Sequence, residues 1–181
     1  MYRRSGTSTG CRYARRRIYS SWPFAARADP GLQELFMTVL DEIYNPRILE
    51  LAANIPHGPR LEHPQASATA HSKLCGSTVS VDLNMEGDVV TDYCQTVKAC
   101  LLGQAASSIM ARNIIGSRAD ELREVGAKMR KMLKEDGCPP NGKWKDLEVL
   151  EPVRDFKARH ASTLLVFDAV EDAIAQIEAA R

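Results

Sequence analysis

The stretch "STVSVDLNMEGDVVTDYCQTVKA" (residues 77–99) decides the fold. Val79, Val81, Leu83 and Met85 alternate with Ser80, Asp82 and Asn84, the period-two pattern of a strand with one face on a core and the other toward water. Glu86-Gly87-Asp88 reads as a tight turn, and the chain returns with Val89, Tyr93 and Val97 on one face, which makes a hairpin. Upstream, "ASATAHSKL" (66–74) is strand-like but small and polar. Together these segments predict an antiparallel meander of about three strands.

Outward from the meander the pattern turns helical. "LLGQAASSIMARNII" (101–115) leads with small residues that let a helix lie close to its neighbours. "ADELREVGAKMRKML" (119–133) repeats Leu122, Val125, Met129 and Leu133 at helical spacing. "EDGCPPNGKW" (135–144) is a loop, "DLEVLEPVRDFKARH" (146–160) is a helical pattern interrupted by Pro152, and "STLLVFDAVEDAIAQIEAA" (162–180) buries Val166, Val170, Ala173, Ile174 and Ile177. On the N-terminal side, "LQELFMTVLDEI" (32–43) is amphipathic through Leu35, Phe36, Val39, Leu40 and Ile43. Asn45 and Pro46 then cap and start a second short helix with Ile48, Leu49 and Ala52 on one side. A short sheet with several helices on one side is an α+β fold.

The 181 residues, 44% hydrophobic and 26% charged, suit one domain with a real core. The net charge of +1 conceals an asymmetry. Residues 1–36 carry seven arginines (3, 4, 12, 15, 16, 17 and 27) against Asp29 and Glu34, leaving 17 basic and 21 acidic residues, a net of −4, for the body. A mildly acidic body speaks against nucleic acid as a partner, and no run is long and apolar enough to suggest a membrane span. The leader, rich in Arg and Ser and without acids up to Asp29, reads either as a translated extension or tail upstream of Met37 or as an organelle presequence. The expected organisation is a leader over 1–36 and one domain over 37–181. The expected compartment is the cytoplasm, or the mitochondrial matrix if the leader is a presequence.

Five cysteines (11, 75, 94, 100 and 138) have neither the even count nor the spacing of a disulfide framework, so reduced thiols are expected. Cys75 precedes Gly76 between two strands, where a tight turn leaves amides to face a sulfur. Cys100 stands at a strand-to-helix boundary, where unpaired amides favour a negative sulfur. In a meander these two places lie at the same edge of the sheet, and His160, expected just before the last helix, can join them. Two sulfurs and one imidazole make an incomplete soft-metal site for zinc or an iron–sulfur cluster. Cys94 alternates to the face opposite Tyr93 and Val97, and Cys138, His57 and His63 read as loop residues. A cysteine hydrolase built on Cys100 and His160 lacks a group to orient the histidine.

The chain resembles the IscU/SufU/NifU N-terminal type of iron–sulfur cluster assembly scaffold from about Met37 to Ala179. The resemblance rests on "IYNPRILELA", "KLCGSTVSVDLNMEGDVVTD", "VKACLLGQAASSIMA" and "RHASTLL". It implies a SufE/NifU-like fold and a non-enzymatic scaffold that binds iron or a transient [2Fe–2S] cluster. It implies sulfur from a cysteine desulfurase, delivery to apo iron–sulfur proteins, and Cys75, Cys100 and His160 as cofactor and metal ligands. Two positions depart from the family pattern: Ser77 stands where the resemblance places an aspartate, and Ala161 where it places a third cysteine. The fourth ligand is therefore open among Cys94, His71, a partner's thiol and a second subunit in a homodimer. The departures support an alternative, a degenerate zinc-stabilised member that serves as an interaction module or desulfurase regulator. "LEPVR" (150–154) resembles a chaperone-recognition segment of that family only weakly, since Glu151 stands where a proline is expected.

Overall fold

The computed structural model describes residues 45–181 except His57 and Leu74. The leader, the amphipathic segment 32–43 and His57 lie outside the described residues.

Helix α1 (Pro46–Ala53) begins as its sequence dictates: the Asn45 side chain accepts from the Ile48 amide at 3.0 Å and proline occupies the first turn. Its buried stripe is Ile48, Leu51 and Ala52, whereas Leu49, expected inside, is 49% exposed. Positions 48, 51 and 52 follow helical periodicity more closely than 48 and 49, which sit about 100° apart on the wheel.

Strands β1 (Ala66–His71), β2 (Thr78–Glu86) and β3 (Val89–Lys98) form a three-stranded antiparallel sheet in sequence order. Val79, Val81, Leu83 and Met85 are buried as the alternation predicts. On β3 Tyr93 and Val97 pack against the core as expected, but at the start of the strand the face shifts: Asn84 pairs with Asp92 and Met85 with Val90, so Thr91 is an extra residue. That bulge puts Val90 into the core at 1% exposure in place of Val89.

Helix α2 (Leu101–Asn113) follows β3 directly, and α3 (Ala119–Lys134) buries Leu122, Val125, Met129 and Leu133. The segment expected to be a helix broken at Pro152 is instead one 3-10 helix, Gly142–Asp155, with Pro152 inside it. Its buried residues, Trp144, Leu147, Leu150 and Val153, recur every third position, which matches three residues per turn. Helix α4 (Lys157–Ala179) starts earlier than expected, so His160 lies in its first turn and not before it. It is buried on most sides, from Leu164 and Phe167 to Ile174 and Ile177, and packs against β1, β2, α2 and α3. The result is the expected α+β arrangement, with α4 at its centre. Among the described residues no helix is long and apolar enough to cross a membrane.

Candidate thiol site at the sheet end

The register aligns His71, Thr78 and Lys98 across the three strands. Cys75 lies in the connection that joins the first two of these positions, and Cys100 lies two residues beyond the third. Both cysteines therefore sit at one end of the sheet, as the strand order requires. Helix α4 brings its first turn to the same end. There it crosses α2 so closely that a Cβ on Gly103 would stand 2.8 Å from the Ser162 carbonyl oxygen. Only glycine permits that approach, and it is what holds the Cys100 helix against residues 159–162.

Cys75 is exposed in a connection closed by the Ser72 amide on the Ser77 carbonyl and the Gly76 amide on the Ser72 carbonyl, at 2.8 and 2.9 Å. Gly76 takes φ +68°, a conformation that favours glycine. The Cys75 Sγ lies 3.3 Å from Ser72 Oγ and 3.0 Å from Ser77 Oγ. These hydroxyls, then the Ser77 amide and the Arg159 charge, stabilise the thiolate and lower the Cys75 pKa from 9.0 to about 7. Ser77 thus stands where the resemblance implies a carboxylate, and it offers a donor to the sulfur instead.

Cys100 is the residue that precedes α2, half-buried, with no side-chain bond to the helix amides. Its thiol donates to Ser162 Oγ at 3.3 Å, and that hydroxyl donates to the Arg159 carbonyl at 3.0 Å. The start of α4 therefore acts on both cysteines, on Cys100 through a hydrogen bond from its thiol to Ser162 and on Cys75 through the charge of Arg159. Ala161, between them in sequence, has no atom that could ligate a metal.

His160 is placed differently from the sequence expectation. It is buried at 8% exposure, and its Nε2 faces the carbonyls of Val153 and Arg154 at 3.1 and 3.0 Å, where it donates. The imidazole thereby ties the end of the 3-10 helix to the start of α4. Among the described residues no three of His, Cys, Asp and Glu gather so as to hold a metal ion. Cys75 and Cys100 supply two sulfurs, and His160 is not joined to them in such a group.

Of the remaining candidates, His71 is exposed, with Nδ1 3.0 Å from Thr78 Oγ1. Cys138 is exposed, and Cys94 is buried on the outer face of the sheet. The Cys94 thiol donates to the Gly58 carbonyl at 3.4 Å beneath a loop clamped by Arg60 on Asp82. Sequence reasoning missed Ser72, Ser162 and Arg159. Ser72 carried a legible signal, since it lies three residues before Cys75. Ser162 carried none, because only the α2–α4 crossing brings it to Cys100.

Comparison with known proteins places the chain in a family. The family model described as NifU-like N terminal domain matches residues 38–163. The chain is 24% identical over 139 residues, 77% of its length and 97% of the relative's, to the iron-sulfur cluster assembly scaffold protein IscU of Thermotoga maritima. It is 22% identical over 143 residues, 79% of its length and 97% of the relative's, to the zinc-dependent sulfurtransferase SufU of Bacillus subtilis. Among solved structures, the N-terminal part of a nitrogen-fixing NifU-like protein from Brucella abortus superposes with a TM-score of 0.78 at 59% identity. That match spans 79% of this chain and 99% of the other.

Proposed function

The chain belongs to the family of NifU-like N-terminal domains, and on that premise we propose that it is a carrier in iron–sulfur cluster assembly. Cys75 accepts sulfur, and Cys75 with Cys100 holds iron or a [2Fe–2S] cluster as cargo on the way to apo-proteins. The observation that carries the reading is the exposed Cys75 thiol, brought to about 7 by Ser72 and Ser77 and placed at the same sheet end as Cys100. At neutral pH about half of such thiols are thiolates, the form that attacks sulfur and binds metal. In the transfer step, the thiolate attacks the outer sulfur of a cysteine persulfide on a desulfurase. An S–S bond forms on Cys75, the desulfurase cysteine leaves as a thiolate, and the proton remains on the transferred terminal sulfur. The protein is thus a carrier and not an enzyme with turnover of its own. Free thiols suit a reducing compartment, and we take it to be the cytoplasm.

Two thiolates do not complete a cluster site, so the remaining ligands come from His160 through Nδ1, from a partner's thiol or from a second subunit. Ala161 and Ser77 favour a second reading, in which two thiolates, an imidazole and water hold zinc in a module that binds or regulates the desulfurase. Anaerobic reconstitution with iron and sulfide tests the first reading. The expected result is visible sulfur-to-iron absorption that is lost in C75A and in C100A. A colourless protein retaining one zinc overturns it in favour of the second.

A further inference from the structure

The acidic residues of the chain avoid the thiol end. Beyond residue 36 there are 21 of them, yet none falls in 63–81, 93–119 or 156–167. Those stretches supply β1, the connection that holds Cys75, the second half of β3, helix α2 and the first turns of α4.

Four cations stand at that end. Lys73 comes two residues before Cys75, and Lys98, in register with Thr78 and through it with His71, comes two before Cys100. Lys157 opens α4 and lines one cleft with His71, and Arg159 acts on Cys75 through its charge. All four are exposed, and none joins an ion pair among the described residues. Elsewhere the pattern is reversed: Arg47, Arg60, Arg118, Arg123, Arg130 and Lys143 each hold a carboxylate. The acid closest in sequence to Lys157 is Asp155, exposed two residues before it, and one such charge leaves the surface positive.

Cations left together without counter-charges repel one another, and the potential they raise draws in a partner of opposite sign and speeds its arrival. The leader cannot be that partner, because its seven arginines against Asp29 and Glu34 give it the same sign as the surface. Nucleic acid is disfavoured by the net of −4 on the rest of the chain and offers the exposed Cys75 thiol no sulfur to attack.

We propose that the thiol end is the docking surface for a protein sulfur donor whose persulfide cysteine stands among aspartates and glutamates. Those acids pair with Lys98 and Lys157 while Cys75 takes the outer sulfur. The sulfur half rests on the function proposed above; the charge half does not.

Pentapeptides that carry one iodoacetyl group flanked by glutamates, serines or lysines test the charge half. At about 20 mM salt the glutamate peptide is expected to alkylate Cys75 at least about tenfold faster than the lysine peptide, with the serine peptide between them, and the order is expected to collapse at about 0.5 M salt. Cys138 is the control in the same tube, since it is exposed and closely follows Glu135 and Asp136; there the glutamate peptide is expected to be the slowest. The variant K98Q/K157Q replaces exposed residues that are not among the causes of the lowered Cys75 pKa. In it the glutamate advantage is expected to fall at least about threefold while the serine peptide reacts as before. Equal rates for the three peptides, an advantage that survives high salt, or one undiminished in the variant overturns the inference. Protection of Cys75 by single-stranded DNA, or by a rise in protein concentration, in place of a glutamate advantage gives the surface to nucleic acid or to a second copy and overturns it as well.

The same peptides with a cysteine persulfide in place of the iodoacetyl group test the sulfur half. The outer sulfur is expected to pass to Cys75, with the peptide cysteine leaving as a thiolate, in the same charge order. Transfer from none of them, with the alkylation order intact, removes the sulfur-acceptor function and leaves an acidic partner. Transfer and alkylation at rates that ignore peptide charge leave the function and remove the acidic partner.

Discussion

Cys75 and Cys94 carry the same side chain in opposite surroundings. Cys75 is exposed and its sulfur meets two hydroxyls, an amide and the Arg159 charge, which pull its pKa down. Cys94 is 6% exposed, and burial, then the negative Asp82 opposite it, push its thiol up. The sheet holds both, but one end is open and lined with donors while the outer face is closed by a loop clamped through Arg60 and Asp82. What separates a reactive sulfur from an inert one here is the set of groups that the connections and loops bring to it.

The largest effect expected from that contrast is chemical. At pH 7, iodoacetamide should alkylate Cys75 about a thousandfold faster than Cys94, because only the thiolate reacts and Cys94 must also be uncovered by local opening. Peptide mass spectrometry after timed quenching reads the two rates independently of the other cysteines. Comparable rates would mean that the loop does not close over Cys94 in solution.

A smaller effect should follow from breaking the open end alone. G103V drives a side chain into the Ser162 carbonyl, which stands 2.8 Å from even a bare Cβ, and into Ala99 at the same distance. Overpacking of this kind costs about 3 kcal/mol, measurable by urea denaturation. It should separate Cys100 from Ser162 and leave Cys94 as protected as before, since the Arg60 clamp is built from other elements. A G103V protein with unchanged stability would show that the α2–α4 contact is loose.

The contrast also explains how much of the fold and of the thiol site is legible in the sequence. The β2 alternation was legible because a half-buried strand must alternate, and strand order alone put Cys75 and Cys100 at one end. On β3 Tyr93 and Val97 were read correctly, and only Val89 was misplaced, because one extra residue, Thr91, swaps inside for outside without leaving a mark in the pattern. Spacing of 3.0 and 3.6 residues diverges slowly along a short segment, so Leu147, Leu150 and Val153 passed for an interrupted α-helix, and Trp144 for the end of a loop. The direction of His160 depended on where α4 begins, a matter of four or five residues that its apolar stripe does not specify. The donors that tune the sulfurs were the least legible, because a serine is informative only once tertiary structure shows what it faces.

The finest effect concerns those serines. In the native protein the Cys75 alkylation rate should rise as pH increases through about 7 and level off above it, since deprotonation creates the nucleophile. In S72A/S77A the two largest causes of the lowered value disappear, while the Ser77-position amide and Arg159 remain. The midpoint should therefore move upward but stop short of 9.0, the value from which the thiol starts. A displacement on the order of one pH unit makes the variant roughly tenfold slower well below the native midpoint and equal to it in strong alkali. Equal rates at high pH are what separate loss of thiolate from loss of access. An unchanged midpoint would transfer the tuning of Cys75 to Arg159 and the backbone, and R159Q would then be the variant that raises it.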